Sequence, residues 1–311
     1  MKALVSRAVF SVYRSLPPGV RYRLKAMAAI NGHAAGTLDP LKALRDAEGK
    51  KRLDRAMDRV TSLLEAADIQ SLENWRCLEI GCGFVPADAL CFYLLGAESV
   101  LITDYNRILQ FNALARAVAA AEGEALAQSA KRMVEPQIFA QRLDRLSREL
   151  ARGESGLEGL GIRYRAPMDL TEESPGTNFD LVYSVCVLEH IPPAQIPAIL
   201  STLAASLSER GRMVHDINLQ DHLDQEGDPF AFLRQDNSYD LASETDTRGN
   251  RVRDGEWQVL FGDLANWDTT IARRTIRADA RPRQEDLLPE FAAMAEEDCF
   301  TGRVVAVTRR K

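Results

Sequence analysis

Residues 78–86, Leu-Glu-Ile-Gly-Cys-Gly-Phe-Val-Pro, constrain this chain more than any other stretch. They follow the short apolar run Trp75–Ile80 and precede a helical pattern, which reads as strand, glycine turn, helix. Gly81 and Gly83 allow a sharp bend and bring backbone N–H groups close to a ligand. Twenty-three positions after Gly81, a second apolar run, Ser99-Val-Leu-Ile-Thr, ends in Asp104. In α/β nucleotide sites, an acidic side chain at the tip of the second strand holds ribose hydroxyls.

Pro86 narrows the choice of nucleotide. A dinucleotide fingerprint places a third glycine there for close helix–strand packing, and proline instead suits a first helical position, where its missing N–H would be unpaired anyway. No lysine-serine pair follows, so a nicotinamide site and a phosphate-binding P-loop are both disfavoured. Glu79, just before the first glycine, points toward a cofactor carrying positive charge. With these residues the chain resembles the class I S-adenosylmethionine (SAM) dependent methyltransferases, whose first motif reads hydrophobic-Glu-x-Gly-x-Gly. Val85 departs from that pattern, standing where a further glycine is common.

Other segments fall in the order the resemblance requires. Gly161 to Leu170 looks like the third strand, with Asp169 in the position that meets the adenine amino group. Asn178 to Pro192 looks like the fourth strand and its exit, and Gly211 to Ile217 like the fifth. Thr269–Ile276 and Gly302–Thr308 match the antiparallel hairpin that closes such a sheet. The resemblance covers residues 70–311 and implies a Rossmann-like α/β fold, mostly parallel, with SAM as cofactor. It assigns the cofactor crevice to Glu79, Gly81, Cys82, Gly83, Asp104, Tyr105, Asp169, Leu170, Ser184, Val185 and His190.

Charge and composition exclude some classes. The formal net charge of -6 in 311 residues argues against nucleic acid as partner. The Asn/Asp-Pro-Pro-aromatic motif for flipped bases is also missing, since Ser184-Val-Cys-Val occupies that strand exit. Five cysteines without a C-x-x-C pair fit reduced thiols in a cytoplasmic protein better than a disulfide framework. Four singly placed histidines show no zinc spacing, so no metal is expected. No apolar run has the ~18 residues that span a bilayer. The first 25 residues carry six basic and no acidic side chains, with Leu4, Val5, Ala8, Val9, Val12 and Leu16 at helical spacing. Such a helix packs on the catalytic domain or rests on an anionic inner membrane face; an Arg-rich organelle transit peptide is a third reading.

Three regions stand outside the sheet pattern: a helical cap over residues 1–70, a helical insertion at about 106–160, and a polar, aperiodic loop at about 218–254. The loop follows the fifth strand and should face the acceptor, because doubly wound sheets bind ligands beyond the carboxyl ends of their strands. It carries Asp221-His222, and a neighbouring carboxylate can fix a histidine's tautomer. The stretch resembles a bacterial methyltransferase subgroup with an Asp-His segment here and Asn-Arg-x-Arg before an aromatic helix, often linked to glycan or natural-product tailoring. His222 is the candidate base, with Asp221 and His215 as catalytic partners; His222 as anchor of the loop and His215 as a buried core histidine are the competing readings. Asn250, Arg251 and Arg253 are candidates for an anionic acceptor such as a nucleotide-sugar phosphate, or plain surface charges. The expected reaction is methyl transfer, at oxygen, to a small-molecule or glycan intermediate. A non-catalytic scaffold or regulatory partner with the same fold is the alternative.

Overall fold

A computed structural model describes residues 52–222, 225–235 and 248–311. The basic N-terminal helix, and the membrane contact drawn from it, lie outside these residues. Among the described residues no helix is long and apolar enough to cross a membrane. The chain enters with α1 (Arg52–Ala66), whose Leu53, Met57, Val60 and Leu64 recur at helical spacing and are buried. Then follow β1 (Arg76–Ile80), α2 (Ala87–Leu94) and β2 (Ser99–Thr103). The region read as a helical insertion holds α3 (Phe111–Ala119), α4 (Gly123–Ala130) and α5 (Pro136–Leu150) before β3 (Ile162–Arg165). After β4 (Phe179–Val185) come α6 (Ile196–Ser206), β5 (Leu207–Asn218), α7 (Asp254–Gly262), β6 (Trp267–Ile276) and β7 (Thr301–Arg310).

The seven strands form one sheet in the order β3-β2-β1-β4-β5-β7-β6. β1 to β5 pair in parallel, and β7 runs antiparallel between β5 and β6. This is the Rossmann-like sheet of class I methyltransferases, with helices on both faces. Alternation along each strand divides the core in two. Cys77, Leu181, Tyr183, Val214, Val305 and Val307 face the layer that contains α1 to α5. Leu78, Ile80, Val182, Met213, Ile217 and Val304 face α6 and α7. A smaller cluster, including Phe230, Phe232, Phe291 and Phe300, joins the segment after β5 to the one before β7.

Two elements differ from the sequence reading. The third strand stops at Arg165, because Pro167 has no N–H to continue the ladder, and Asp169 follows in a turn. The Met168 N–H still donates to the Asp104 carbonyl (3.0 Å), which keeps the two strand exits side by side. The fifth strand starts at Leu207, earlier than Gly211, with an irregular register against Phe179–Leu181. Helix α1 is part of the core: Leu64 is 0% exposed beneath it. Leu64→Ala is expected to lower the unfolding free energy by about 2–5 kcal/mol, measured by urea denaturation; a change within error would remove α1 from the cooperative fold.

Candidate functional site

The turn after β1 is shaped by two glycines in the left-handed region, Gly81 (φ 65°) and Gly83 (φ 63°). A Cβ on Gly81 would stand 2.4 Å from Cγ2 of Val187, so the turn presses directly on the exit of β4. A Cβ on Gly83 would meet nothing within 4 Å, which leaves room for a ligand against its backbone. The Gly83 N–H donates to Oδ2 of Asp104 (3.0 Å), and the Asn106 N–H donates to Oδ1 (3.0 Å). The Cys82 N–H donates to the Thr103 carbonyl (3.0 Å). The β1 and β2 exits are thus tied together at the carboxyl edge. Two ionic acceptor oxygens have about four lone-pair sites, so two of those on Asp104 are left for hydroxyl donors.

The other residues assigned to the crevice separate into two groups. Asp169 is half-buried beside Asp104; its Oδ1 accepts from the Thr171 hydroxyl (2.6 Å) and N–H (2.9 Å), and these bonds hold it below the usual carboxylate range. Leu170 and Val185 are half-buried, and Tyr105 is 67% exposed. Glu79 and Ser184 are instead closed off. Glu79 is buried, with Oε2 lacking a hydrogen-bond partner among the described residues, and burial and then the charge of Asp88 push its pKa up. Ser184 is 0% exposed because strand alternation turns it toward α7, where its hydroxyl meets Nδ1 of His215 at 2.7 Å. The open backbone at Gly83 and the available Asp104 oxygens fit the ribose side of an adenosyl group; Glu79 lies buried behind the turn, where its surroundings favour the protonated acid.

A second group gathers where β4 ends. Leu188–His190 form a 3₁₀ turn. Asn250 fastens that turn: its side-chain amide donates to the carbonyls of Leu188 (3.0 Å) and Ile191 (2.9 Å), and its N–H to that of Glu189 (2.8 Å). Glu189 is 1% exposed, and burial pushes its pKa up to about 8. Its Oε1 accepts from the Asn218 N–H (3.2 Å), and its Oε2 is buried without a hydrogen-bond partner among the described residues. His222 brings Nε2 to 3.6 Å from Oε1 of Glu189. The His190 and His222 rings meet edge to face, 4.6 Å between centroids.

The remaining candidates hold the scaffold together. Asp221 is 0% exposed and ion-pairs with buried Arg248, while the His222 N–H donates to the Arg248 carbonyl (3.0 Å). His215 is 0% exposed, 5.9 Å from the Phe261 ring, and burial lowers its pKa to about 3. Arg253 is also 0% exposed; it donates to the carbonyls of Leu219 (2.8 Å) and Thr301 (3.0 Å) and lies 5.9 Å from the rings of Phe230 and Phe232. Arg251 donates to the carbonyls of Phe232 (3.1 Å) and Gln235 (2.7 Å). The structure therefore places Asn250, Arg251 and Arg253 against backbone carbonyls. For Arg253 the physical reason is burial, since a cation removed from water takes whatever acceptors the fold offers; Arg251 is half-buried, and Asn250 is a neutral amide that clamps the Leu188–His190 turn.

Arginines that the sequence reading did not single out line a cavity of about 350 Å³ between α1 and the β5–β7–β6 part of the sheet. Arg59, Arg273 and Arg303 converge there with Asp216. Arg303 pairs with Asp216 and reaches Sγ of Cys186 (3.8 Å), so the cavity adjoins the β4 exit. No spacing rule would have joined these residues, since they come from α1 and from both strands of the terminal hairpin. A second cavity, of about 310 Å³, lies at the opposite edge of the sheet, lined by Tyr93, Arg142 and Gly161.

No protein-family model matches this chain, and no curated protein matches it. Solved structures do. A TehB-like SAM-dependent methyltransferase from Corynebacterium glutamicum is 16% identical over 82% of this chain and 88% of its own, with a TM-score of 0.41. The magnesium protoporphyrin IX methyltransferase of Synechocystis PCC 6803, solved with S-adenosylhomocysteine (SAH) bound, is 15% identical over 86% of each chain, with a TM-score of 0.42. A Burkholderia thailandensis 1,6-didemethyltoxoflavin-N1-methyltransferase is 14% identical over 94% of this chain and 87% of its own, with a TM-score of 0.43.

The neutral, enclosed state of His215 has a consequence for acid stability. The unfolded chain takes up a proton below the ordinary value of 6.5, whereas the folded chain does so only near 3. Between those values His215 destabilises the fold as pH falls, by up to about 1.4 kcal/mol per pH unit. The variant His215→Gln, which keeps a partner for Ser184 and cannot titrate, is expected to show a shallower fall in unfolding free energy through this range. Parallel curves for variant and parent would contradict the assignment.

Proposed function

We propose that this protein is a SAM-dependent methyltransferase that transfers a methyl group to an oxygen of a small-molecule or glycan intermediate carrying negative charge. The observation that carries the reading is the Gly83–Asp104 contact: an unobstructed glycine backbone and an acceptor-rich carboxylate, side by side at the carboxyl edge of β1 and β2. Bound SAM supplies an electrophilic methyl on its sulfonium. The chain's own task is then to hold an acceptor in line with it, which can contribute ~7–11 kcal/mol when the geometry is ideal. In the cavity lined by Arg59, Arg273 and Arg303, the first pairs with Asp88 and the last with Asp216, so it is the Arg273 guanidinium, held by Ser62, that supports an anionic acceptor. A hydroxyl acceptor must also lose its proton. The groups at hand are Glu189, His190 and His222, and Glu189 takes the orienting place beside His222 that the sequence reading gave to Asp221.

Calorimetric titration with SAH tests the cofactor assignment. The parent chain is expected to bind, and Asp104→Ala to bind ~10–100-fold more weakly, as a lost hydrogen bond to a charged group implies. Unchanged affinity in a folded Asp104→Ala variant would refute the ribose role, and a parent chain that binds neither SAM nor SAH would refute the function.

A further inference from the structure

We propose that Glu189, His190 and His222 form a binding site for one divalent transition-metal ion. Their donor atoms all lie within 4.8 Å of one another. Oε1 of Glu189 and Nε2 of His222 are 3.6 Å apart, which two ligands ~2.1 Å from a shared ion reach at an angle of about 118°. Drawing the widest pair in to the ~4 Å that one ion permits needs less than ~1 Å of side-chain adjustment. Two imidazoles and one carboxylate favour zinc, iron or manganese over magnesium and calcium, which prefer oxygen donors throughout. Three protein ligands leave further positions open.

The surroundings are built as a ligand shell would be. Glu189 is 1% exposed and its Oε2 is a buried acceptor with no hydrogen-bond partner among the described residues. Such a group costs stability unless something supplies a positive charge or a donor. The Asn218 N–H donates to Oε1, the oxygen nearest His222, and so fixes the orientation of the carboxylate. Asn250 clamps the backbone on both sides of Glu189 and His190, and the His222 N–H is held by the Arg248 carbonyl. Outer partners of this kind aim metal ligands in advance. His190 and His222 are half-buried. Sequence spacing hides the set, since 32 positions separate the two histidines.

The ion's use rests on the methyltransferase reading. Val187, next to this turn, abuts Gly81, so an ion held by Glu189, His190 and His222 would sit beside the turn proposed to hold the cofactor. An acceptor hydroxyl bound there would be held and made more acidic. His222 would then act as a ligand, and the ion would take over the work of a base.

The test uses the full chain, stripped with a chelator and dialysed. Added Mn2+ is followed by loss of the free-ion electron paramagnetic resonance signal, with Zn2+ as competitor, and SAH binding is measured on the same samples. One Mn2+ per parent chain, displaced by Zn2+, is expected. Glu189→Gln and His222→Ala are each expected to bind ~10–100-fold more weakly while still binding SAH, which shows that they are folded. A parent chain that binds SAH but takes up neither ion overturns the site, as does Glu189→Gln or His222→Ala binding Mn2+ as well as the parent. Uptake of Mn2+ in the expected pattern without any SAH binding supports the ion site and removes the methyltransferase reading.

Discussion

The absent side chain at Gly81 lets the exits of β1 and β4 touch. With a Cβ 2.4 Å from Val187, either the glycine turn or the β4 exit would have to move. The turn carries Gly83 and through it Asp104; the exit carries Glu189 and His190, two and three residues beyond Val187. One van der Waals contact therefore sets the distance between the region proposed for the cofactor and the cluster proposed to act on the acceptor. Catalysis by alignment depends on such distances, because methyl transfer from a sulfonium needs geometry more than added reactivity.

Around that contact the fold is stiffened with polar groups taken out of water. Residues 218–222 are fastened to 248–253 by the Asp221–Arg248 pair, the His222 N–H on the Arg248 carbonyl and the buried Arg253 guanidinium on the Leu219 carbonyl, while the buried Asn250 amide ties 248–253 to the Leu188–His190 turn. Buried ion pairs add little net stability, but removing one partner leaves a charge with no compensation. Their effect is to fix one arrangement of an irregular segment, which apolar packing alone specifies poorly. His222 leaves this braced segment to meet Glu189, so a rigid support stands behind a half-buried side chain. Arg303 extends the network to the other face through Asp216 and Cys186.

The sheet was legible because its signals are local. Short apolar runs, a glycine pair and an acidic strand tip each lie within a few residues, and the family resemblance they carry implied a mostly parallel sheet closed by an antiparallel hairpin, as observed. The end of β3 was misjudged, although Pro167 marks it, since apolar residues continue past the point where the ladder stops. The acceptor side was far less legible. Asp221 and His222 are adjacent in sequence, yet the carboxylate near His222 is that of Glu189, and Asp221 meets an arginine 27 positions away. Polarity in residues 218–254 suggested an acceptor-facing loop, and of its described residues Asp221, Arg248, Asn250 and Arg253 are paired inside. Partner choice of this kind depends on tertiary distance, and composition carries no record of it.

The central claim is that the turn at Gly81–Gly83 and the tip of β2 form one adenosyl site whose reactive end faces the β4 exit. A crystal structure of the chain grown with SAH tests it directly. The account predicts ribose hydroxyls on the Asp104 carboxylate, the ligand backbone against Gly83, and the sulfur directed toward the Leu188–His190 turn. Density for SAH at another place, or a sulfur turned away from that turn, would contradict it.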